Sequence, residues 1–369
     1  MTPTTPPPPT TPRNTSPNNE GERKKKNDNN KNNNRKVILI TGANQGLGFA
    51  ALKLAARRRP DNVYVLGSRD LVRGREAAAK IKGGEVEGWG DRGEGVEVEV
   101  EIDVVKLDIS KDEDVFAAVE EVGRKYGRVD VLINNAGILL QPLTPHSNPF
   151  AEPSSKPGEE KSVRDLRSVR DTWDEVLRTN VAATAVVTEA FLPLLYAASG
   201  GEGGKVGRKY AKVINVSSGT GSIANALTPG KPVYRFPAYG ASKAGLNGLT
   251  AHLQMRERDR VASSSSSSST TLTPVSSSAP TTSGRKEEEG EAEGERIRFY
   301  SAAPGACSTS ITHHHHSAAL LKDPDRGAEV IVRLALSDDD DDEENGYGYG
   351  YEGGTFWEFE DGEMRQVPW

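Results

Sequence analysis

Cysteine is almost lacking in this chain, because Cys307 is the one cysteine among 369 residues. A single cysteine excludes an internal disulfide and is compatible with a reducing compartment. Long apolar runs are lacking too. The nearest, residues 181–198, is interrupted by Glu189 and Pro193 and is shorter than a membrane-spanning helix requires. The N-terminus has no apolar core of a secretion signal. We therefore expect a cytoplasmic protein that does not bind a membrane.

An excess of positive charge is also lacking. Lysine and arginine number 47 against 53 aspartates and glutamates, which gives a net charge of −6. Nucleic-acid binding needs a basic face, so nucleic acid is not expected as a partner. No metal is expected either. Residues 313–316 are four consecutive histidines without fixed ligand geometry, and no nearby cysteine or acidic cluster completes a tetrahedral site.

Several segments contain too few apolar residues to build a core. Residues 1–35 are rich in Pro and Thr and then in Asn and Lys, which predicts a disordered tail. Residues 36–369 are expected to form one α/β domain of the size that a single large domain reaches. Low-complexity inserts are expected to interrupt this domain at about residues 83–95, 141–161, 259–295 and 337–353.

Short apolar runs alternate with helical patterns along the predicted domain. A buried strand at residues 37–40 precedes a glycine turn and then a helix with Leu47, Ala51 and Leu54 on one face. The alternation continues along the chain and predicts an α/β fold, a doubly wound parallel sheet of the Rossmann type. The predicted strands are residues 37–40, 63–66, 104–109, 129–133, 212–216, 297–301 and 355–359.

The turn after the first predicted strand contains Gly42, Gly46 and Gly48. Unpaired backbone N–H groups and the positive dipole end at a helix start attract phosphate, and glycines leave room for it. Three glycines also suit an ordinary strand-to-helix turn. A strand directly before and a helix directly after are the context of a dinucleotide-binding turn, so we expect a dinucleotide here.

Polar or small residues follow the other predicted strands. In doubly wound sheets, ligands bind beyond the carboxyl ends of the strands, so these residues are expected to share one site. They are Arg69, Asp108, Asn135, Ala136, Gly137, Ser218, Pro304 and Gly305.

The order of these residues resembles the short-chain dehydrogenase/reductase family, which implies a Rossmann-fold oxidoreductase. Residues 41–50, 67–74, 215–218 and 367–369 are most similar to the NADPH-dependent carbonyl reductases of that family. The motifs that carry the family resemblance are Thr41-Gly-x-x-x-Gly46-x-Gly48, Asn134-Asn-Ala-Gly137, Asn180, Ser218, Tyr239-x-x-x-Lys243 and Pro304-Gly305-x-x-x-Thr309.

Tyr239 and Lys243 are four residues apart and therefore lie on one face of a helix. An adjacent ammonium stabilises a phenolate, so we expect Lys243 to lower the pKa of Tyr239 from its ordinary value near ~10. Alone, such a pair is more often solvated. Ser218 could be a strand-end cap, and Asn180 a residue that ends a helix. None of these alternatives accounts for all four residues.

The resemblance implies catalytic roles for the same four residues. Tyr239 would donate a proton to the substrate carbonyl while the nicotinamide delivers hydride to its carbon. Ser218 would hydrogen-bond the same carbonyl oxygen. Lys243 would also hold the nicotinamide ribose, and Asn180 would position a water that links Lys243 to solvent.

Two arginines favour NADPH over NADH. Arg69 and Arg73 follow the second predicted strand, where an arginine can bind the 2′-phosphate of NADP; otherwise they are ordinary surface arginines. Carbonyl reductases usually carry a basic residue where this chain has Gln45, which removes one phosphate contact. The expected cofactor-binding residues are Gly42, Asn44, Gln45, Gly46, Leu47, Gly48, Arg69, Arg73, Asp108, Ile109, Asn135, Ala136, Gly137, Tyr239, Lys243, Pro304, Gly305 and Thr309.

The expected function is NADPH-dependent reduction of a small-molecule ketone, aldehyde or quinone to an alcohol. Substrate specificity is expected from residues 141–161, 219–237 and 310–321. A protein of a different class, a non-catalytic NADP-binding scaffold, is the alternative. A third possibility is a subunit of a larger assembly, whereas the resemblance to carbonyl reductases favours a monomer.

Overall fold

A computed structural model of the chain describes residues 35–83, 100–140, 163–199, 210–228, 236–267, 294–311, 321–337 and 351–369. Contacts divide the chain into two units, Met1–Arg35 and Lys36–Trp369. Nearly all of the predicted tail, most of the four predicted inserts and the histidines at 313–316 lie outside the described residues.

Within the described residues, eight strands form one sheet. The strands are β1 Val37–Thr41, β2 Val63–Ser68, β3 Glu101–Lys106, β4 Val131–Asn134, β5 Ala211–Val216, β6 Ile297–Ala303, β7 Thr355–Glu360 and β8 Glu363–Gln366. Their order in the sheet is β3-β2-β1-β4-β5-β6-β7-β8. Neighbouring strands from β3 to β7 pair in parallel, and β8 pairs antiparallel with β7.

Helices lie between the strands along the chain. The helices of the described chain are α1 Gly46–Arg58, α2 Leu71–Lys82, α3 Asp112–Tyr126, α4 Val163–Leu177, α5 Ala183–Ala198, α6 Ile223–Leu227, α7 Pro237–Ser267 and α8 Pro324–Leu336. A π-helical turn, Arg178–Ala182, lies between α4 and α5, and a 3₁₀ turn, Gly219–Gly221, precedes α6.

Helices cover both faces of the sheet. Successive side chains of a strand point to opposite faces, so each strand contributes to a core on either side. Ile38 and Ile40 of β1 lie in a core with residues of α1, α2 and α8. Val37 and Leu39 lie in a second core with residues of α3 and α5. The predicted doubly wound parallel sheet is confirmed. β1 lies between β2 and β4, so the crevice beyond the carboxyl ends of β1 and β4 is the expected ligand site.

The edges of the sheet differ from the predicted strands. β3 spans residues 101–106 rather than 104–109, because this edge strand includes Glu101 and Asp103, which an apolar pattern cannot identify. The sequence pattern missed β8, which a tight turn at Asp361 and Gly362 joins to β7. Both turn residues have positive φ, and an Asp-Gly pair is the available signal for such a hairpin.

Two helical stretches of the described chain are unusually long. α7 extends to Ser267, so the beginning of the insert predicted at 259–295 is helical. By length and composition, Leu166–Ala198 is the one helical stretch of the described chain that could cross a membrane, a test that buried core helices also pass. Phe191 and Leu195 of this stretch are fully buried in the core that α5 forms with the sheet.

Candidate active site

The turn after β1 leaves backbone N–H groups at the start of α1. Gly42 and Gly46 have φ values of 64° and 58°, in the left-handed region that glycine adopts without strain. Gln45 precedes α1 and makes no side-chain hydrogen bond to the helix start. The first turn of α1 also contains no acidic residue. This helix start is therefore suited to an anion.

Residues after β4 hold the glycine turn in place. The Asn135 side-chain amide donates to the carbonyl oxygens of Thr41 at 2.9 Å and Gly42 at 3.2 Å. The Thr41 hydroxyl accepts from the backbone N–H groups of Asn135 and Ala136, both at 3.0 Å. A Cβ on Gly48 would lie 2.4 Å from Asn135 Nδ2. The close approach of α1 to this segment therefore requires glycine at position 48.

Residues after β6 approach the same turn. A Cβ on Gly46 would lie 3.5 Å from Thr309 Cβ, and Gln45 Nε2 donates to Ser310 Oγ at 3.3 Å. The structure thus brings the predicted residues Gln45, Gly46 and Thr309 together. The glycine turn forms a cradle that a Cβ at position 46 would narrow, and it lies next to the start of α1, which has no side-chain cap. Such a cradle fits the phosphates of a dinucleotide.

Arg69 and Arg73 are exposed at the end of β2 and the start of α2. Asp70, which lies between them, is the N-cap of α2, and its carboxylate accepts from the backbone N–H groups of Val72 and Arg73. Arg73 Nε lies 3.6 Å from Asp70 Oδ2. Asp70 therefore stabilises the helix start, as an acidic N-cap residue does.

Asp108 follows β3, the neighbour of β2. Burial alone would raise its pKa, but hydrogen bonds from Ser110 and the charges of Lys111 and Arg69 lower it below the ordinary value. The strand ends of β2 and β3 therefore bring Arg69 and Asp108 into electrostatic contact. Ile109 is buried in the core with residues of α3 and packs there.

Tyr239 and Ser218 are brought together as predicted. Burial raises the pKa of Tyr239 to about 12, and a side-chain hydrogen bond with Ser218 acts in the opposite direction. Lys243 Nζ lies 5.5 Å from the centroid of the Tyr239 ring. The expected lowering of the Tyr239 pKa is wrong, because the loss of hydration disfavours the phenolate more than the hydrogen bond with Ser218 stabilises it.

Lys243 is anchored to the end of β5. Its Nζ donates to the carbonyl oxygen of Val216 at 2.8 Å, and the side chain is buried. Burial lowers the pKa of Lys243 to about 8. Ser217 Oγ donates to the Lys243 carbonyl at 3.4 Å, and a Cβ on Gly221 would lie 2.8 Å from the Lys243 carbonyl carbon. The 3₁₀ turn therefore packs directly on this part of α7.

Asn180 lies in the π-helical turn between α4 and α5 rather than at a helix end. Its Nδ2 donates to the Ile138 carbonyl at 2.8 Å and to Ser242 Oγ at 3.0 Å, and its Oδ1 accepts from the Ile138 N–H at 2.8 Å. Ser242 Oγ donates in turn to the Tyr239 carbonyl at 2.7 Å. Asn180 therefore ties the segment after β4 to the helical turn that carries Tyr239. Single π turns are frequent at functional sites.

Gly137 lies between two of the predicted catalytic residues. A Cβ at this position would lie 3.1 Å from Asn180 Oδ1 and 3.7 Å from Lys243 Nζ. The ends of β4 and β5, the π turn and α7 therefore meet at one place beyond the sheet.

The surroundings of the remaining predicted residues indicate roles in packing and turn geometry. Leu47 packs on α8, where a Cβ on Gly327 would lie 3.5 Å from its Cδ1. Pro304 is buried, and Gly305 has a φ of 78°. Asn44 is half-buried within the glycine turn.

Cys307 is buried next to the segment after β6, and burial raises the pKa of its thiol to about 11. The thiol is therefore neutral at physiological pH and unsuited to attack as a nucleophile. In the part of the chain that the structure describes, no group of three or more His, Cys, Asp or Glu side chains is placed to hold a metal.

Sequence reasoning did not assign site contacts to three hydroxyl residues. Thr41 accepts from the segment after β4, Ser217 donates to Lys243, and Ser242 connects Asn180 with Tyr239. Each directly precedes a predicted site residue, and that position is the signal that could have identified it.

These features define a dinucleotide-binding oxidoreductase, and the chain belongs to the short-chain dehydrogenase family. The model of that family, described as short chain dehydrogenase, matches residues 36–284. Members use NAD(P) and act on small-molecule substrates.

Individual relatives match a larger part of the chain than the family model does. A short-chain dehydrogenase/reductase of Aspergillus fumigatus is 37% identical over 338 residues, which cover 90% of this chain and 97% of that protein. Two solved structures share the fold at low identity. Carbonyl reductase Sniffer of D. melanogaster has a TM-score of 0.54 and 19% identity and covers 91% of this chain and 100% of its own. The 3-ketoacyl-(acyl-carrier-protein) reductase from Brucella melitensis complexed with NADH has a TM-score of 0.54 and 21% identity, with 88% and 96% covered.

Proposed function

We propose that this chain is an NADPH-dependent carbonyl reductase that converts a ketone, aldehyde or quinone to an alcohol. The observation that carries the proposal is the position of Tyr239 beside Ser218, with Lys243 on the same helix and Gly137 next to its ammonium. A proton donor and a second hydroxyl can thus meet one carbonyl oxygen beyond the strand ends.

In this mechanism Tyr239 is the general acid. The chemistry that a reduced nicotinamide would supply when bound is a hydride for the carbonyl carbon. The Tyr239 hydroxyl would give its proton to the carbonyl oxygen. Ser218 donates a hydrogen bond to the same oxygen as negative charge develops there. A pKa of about 12 keeps Tyr239 protonated at neutral pH, which suits a proton donor better than a base. Tyr239 is therefore in the protonation state that the reduction of a carbonyl needs.

Lys243 and Asn180 would support this step through the nicotinamide ribose and a bound water. Lys243 would hold the nicotinamide ribose, since its ammonium lies next to Gly137 at the end of β4. Both amide hydrogens of Asn180 are used by Ile138 and Ser242. The expected water between Lys243 and solvent would therefore meet the Asn180 side chain at Oδ1, which retains acceptor capacity.

The proposed preference for NADPH rests on Arg69 and Arg73. Both guanidinium groups are exposed where the 2′-phosphate would lie, and Asp70 is engaged as a helix cap. The NADH complex of the Brucella reductase gives the fold itself no preference between the two dinucleotides. The proposal also includes a monomeric, cytoplasmic protein without nucleic-acid or membrane partners, on the strength of the resemblance and the net charge of −6.

The test follows NADPH absorbance with quinones, aldehydes and ketoesters as substrates. Wild-type protein is expected to consume NADPH and form the alcohol in equal amounts. Tyr239→Phe is expected to lose about 10²- to 10⁴-fold in kcat while it binds NADPH normally. Tyr196→Phe is the matched control, because its hydroxyl bonds Glu257 at 2.8 Å and belongs to no predicted site. If wild-type protein and both variants bind NADPH but reduce none of the substrates, the chain is instead the non-catalytic NADP-binding scaffold.

A further inference from the structure

The Ser218 hydroxyl accepts two hydrogen bonds from a single residue. Like every serine hydroxyl, it has one hydrogen to donate and two lone pairs with which to accept. Ser218 Oγ accepts from the Thr220 N–H at 3.3 Å and from the Thr220 hydroxyl at 3.0 Å. Thr220 therefore engages both lone pairs of Ser218, and the Ser218 hydrogen remains to be donated.

The side chain of Thr220 does more than the capping of its turn requires. Ser218 is the N-cap of the 3₁₀ turn Gly219–Gly221, and an N-cap serine accepts from a backbone N–H of its turn. The Thr220 N–H already makes this contact. The second contact comes from the Thr220 hydroxyl, which a residue without a side-chain donor could not make. The hydroxyl is therefore an additional donor to Ser218 that the cap itself does not need.

The remaining hydrogen of Ser218 is directed toward Tyr239. The side-chain hydrogen bond between these two residues lowers the pKa of Tyr239 against the effect of burial. Such a bond stabilises the phenolate, which only accepts, so Ser218 is the donor. Thr220 thus donates to Ser218, and Ser218 donates toward Tyr239. A hydroxyl that accepts hydrogen bonds is polarised by them and becomes a stronger donor.

The turn that carries Thr220 is fixed on α7. Asn247 of α7 is buried, and its Nδ2 donates to the Gly221 carbonyl at 3.2 Å. A Cβ on Gly240, the residue after Tyr239, would lie 3.4 Å from the Thr220 carbonyl oxygen. The helix that carries Tyr239 therefore also holds Thr220 in place.

We propose that Thr220 is a positioning residue, which donates to Ser218 and so keeps the Ser218 O–H directed at the carbonyl oxygen of the substrate. This role rests on the proposed function, because it belongs to the same reaction. An open lone pair on Ser218 would be an acceptor for the Tyr239 O–H and would turn the proton donor away from the carbonyl. With both lone pairs engaged by Thr220, the hydroxyls of Ser218 and Tyr239 can both donate to one oxygen.

The test begins with Thr220→Val, because valine has the shape of threonine and keeps the backbone N–H but has no hydroxyl to donate. With NADPH and a carbonyl substrate, kcat is expected to fall about three- to tenfold, as the loss of one hydrogen bond between neutral groups predicts. NADPH affinity and the melting temperature are expected to stay at their wild-type values. Thr220→Ser keeps a hydroxyl and is expected to restore kcat to within about twofold of wild type.

A double-mutant cycle with Ser218→Ala separates this role from a structural one. Ser218→Ala alone is expected to lower kcat about 10²- to 10³-fold, as the loss of one donor to a developing oxyanion does. In the Ser218→Ala background, Thr220→Val is expected to have no further effect, because the hydroxyl through which Thr220 acts is already absent. A substitution that merely loosened the turn would lower kcat by the same factor in both backgrounds.

Thr172→Val is the matched control, since it makes the same change in α4, where the Thr172 hydroxyl donates to the Ser168 carbonyl at 2.8 Å. It is expected to leave kcat unchanged. Wild-type kcat in Thr220→Val, or the same loss in both backgrounds, overturns the role of Thr220 while the proposed function stands. If the Ser218→Ala rate falls below detection, Thr220→Ser decides, and no recovery of kcat in that variant overturns the role. If wild-type protein reduces no carbonyl compound with either dinucleotide, the proposed function itself fails.

Discussion

The Lys243 ammonium donates a 2.8 Å hydrogen bond to the carbonyl oxygen of Val216, the last residue of β5. This contact fixes the ammonium at the strand end from which Ser218 follows. Burial acts on both members of the Tyr239 and Lys243 pair, raising the tyrosine pKa to about 12 and lowering the lysine pKa to about 8. In each case the neutral form is favoured, because a charged group loses hydration when it is buried.

The first prediction is the pH dependence of kcat/KM for NADPH, which reports the free enzyme. Lys243 is protonated below its pKa of about 8, so kcat/KM is expected to be level near neutral pH and to fall above that value. Tyr239 keeps its proton to a pKa of about 12 and adds no loss below about pH 10. Steady-state rates between about pH 6 and pH 10 measure this. A level profile through the whole interval would contradict the proposed role of the lysine.

The second prediction concerns the choice of dinucleotide. Arg69→Ala is expected to lower kcat/KM for NADPH about tenfold or more, since a hydrogen bond between charged groups contributes about 1.5–3 kcal/mol. The value for NADH is expected to change less than about twofold, because NADH has no 2′-phosphate to lose its partner. Arg75→Ala, at an exposed position of the same helix α2, is the control. Equal losses with both dinucleotides would show that Arg69 does not recognise the phosphate.

The third prediction concerns Asn180. Asn180→Ala removes the hydrogen bonds to Ile138 and Ser242, and urea unfolding is expected to show a loss of about 1–3 kcal/mol. It is also expected to reduce kcat about tenfold or more, because the turn with Tyr239 loses its connection to the segment after β4. Thr172→Ala is the control, since its buried hydroxyl bonds only the Ser168 carbonyl among the contacts described for it. An Asn180→Ala enzyme with wild-type kcat would remove this positioning role.

The fourth prediction compares two glycines. In Gly48→Ala the new Cβ would lie 2.4 Å from Asn135 Nδ2 and 2.8 Å from the Gly42 carbonyl oxygen. We expect the free energy of unfolding to fall by about 1–3 kcal/mol and NADPH binding to weaken. In Gly123→Ala the new Cβ meets Leu194 Cδ2 at 3.5 Å, an ordinary contact, so this helix should gain up to about 1 kcal/mol. Denaturant unfolding measures both, and equal effects would contradict the packing argument.

The centre of the fold could be predicted because strands buried on both faces consist of nearly continuous apolar residues. Val37 to Ile40 and Val63 to Leu66 show this, and all of these side chains are buried. β3 and β8 have charged residues such as Glu101 and Glu363, because an edge strand meets water. The apolar pattern therefore misplaced one edge strand and missed the other.

The positions of the site residues could be predicted because parallel strands end at one edge of the sheet. The contacts between distant parts of the chain could not. Asn180 and Ser242 are 62 residues apart, and Ser222 and Pro368 are 146 apart, so no local pattern connects either pair. The direction of the Tyr239 pKa shift also depends on burial, which the four-residue spacing to Lys243 does not reveal.

The π turn at Arg178–Ala182 determines how α5 is oriented about its own axis. One extra residue in a helix rotates everything beyond it by roughly 100°. Shortening the turn by a single residue would therefore swing Val187, Phe191 and Leu195 away from the strands they cover, and would withdraw the Asn180 amide from Ile138. The packing of α5 on the sheet and the hydrogen bond between Asn180 and Ile138 thus depend on the same inserted residue. A deletion in this turn would therefore disturb both the folding of the chain and the proposed catalytic site.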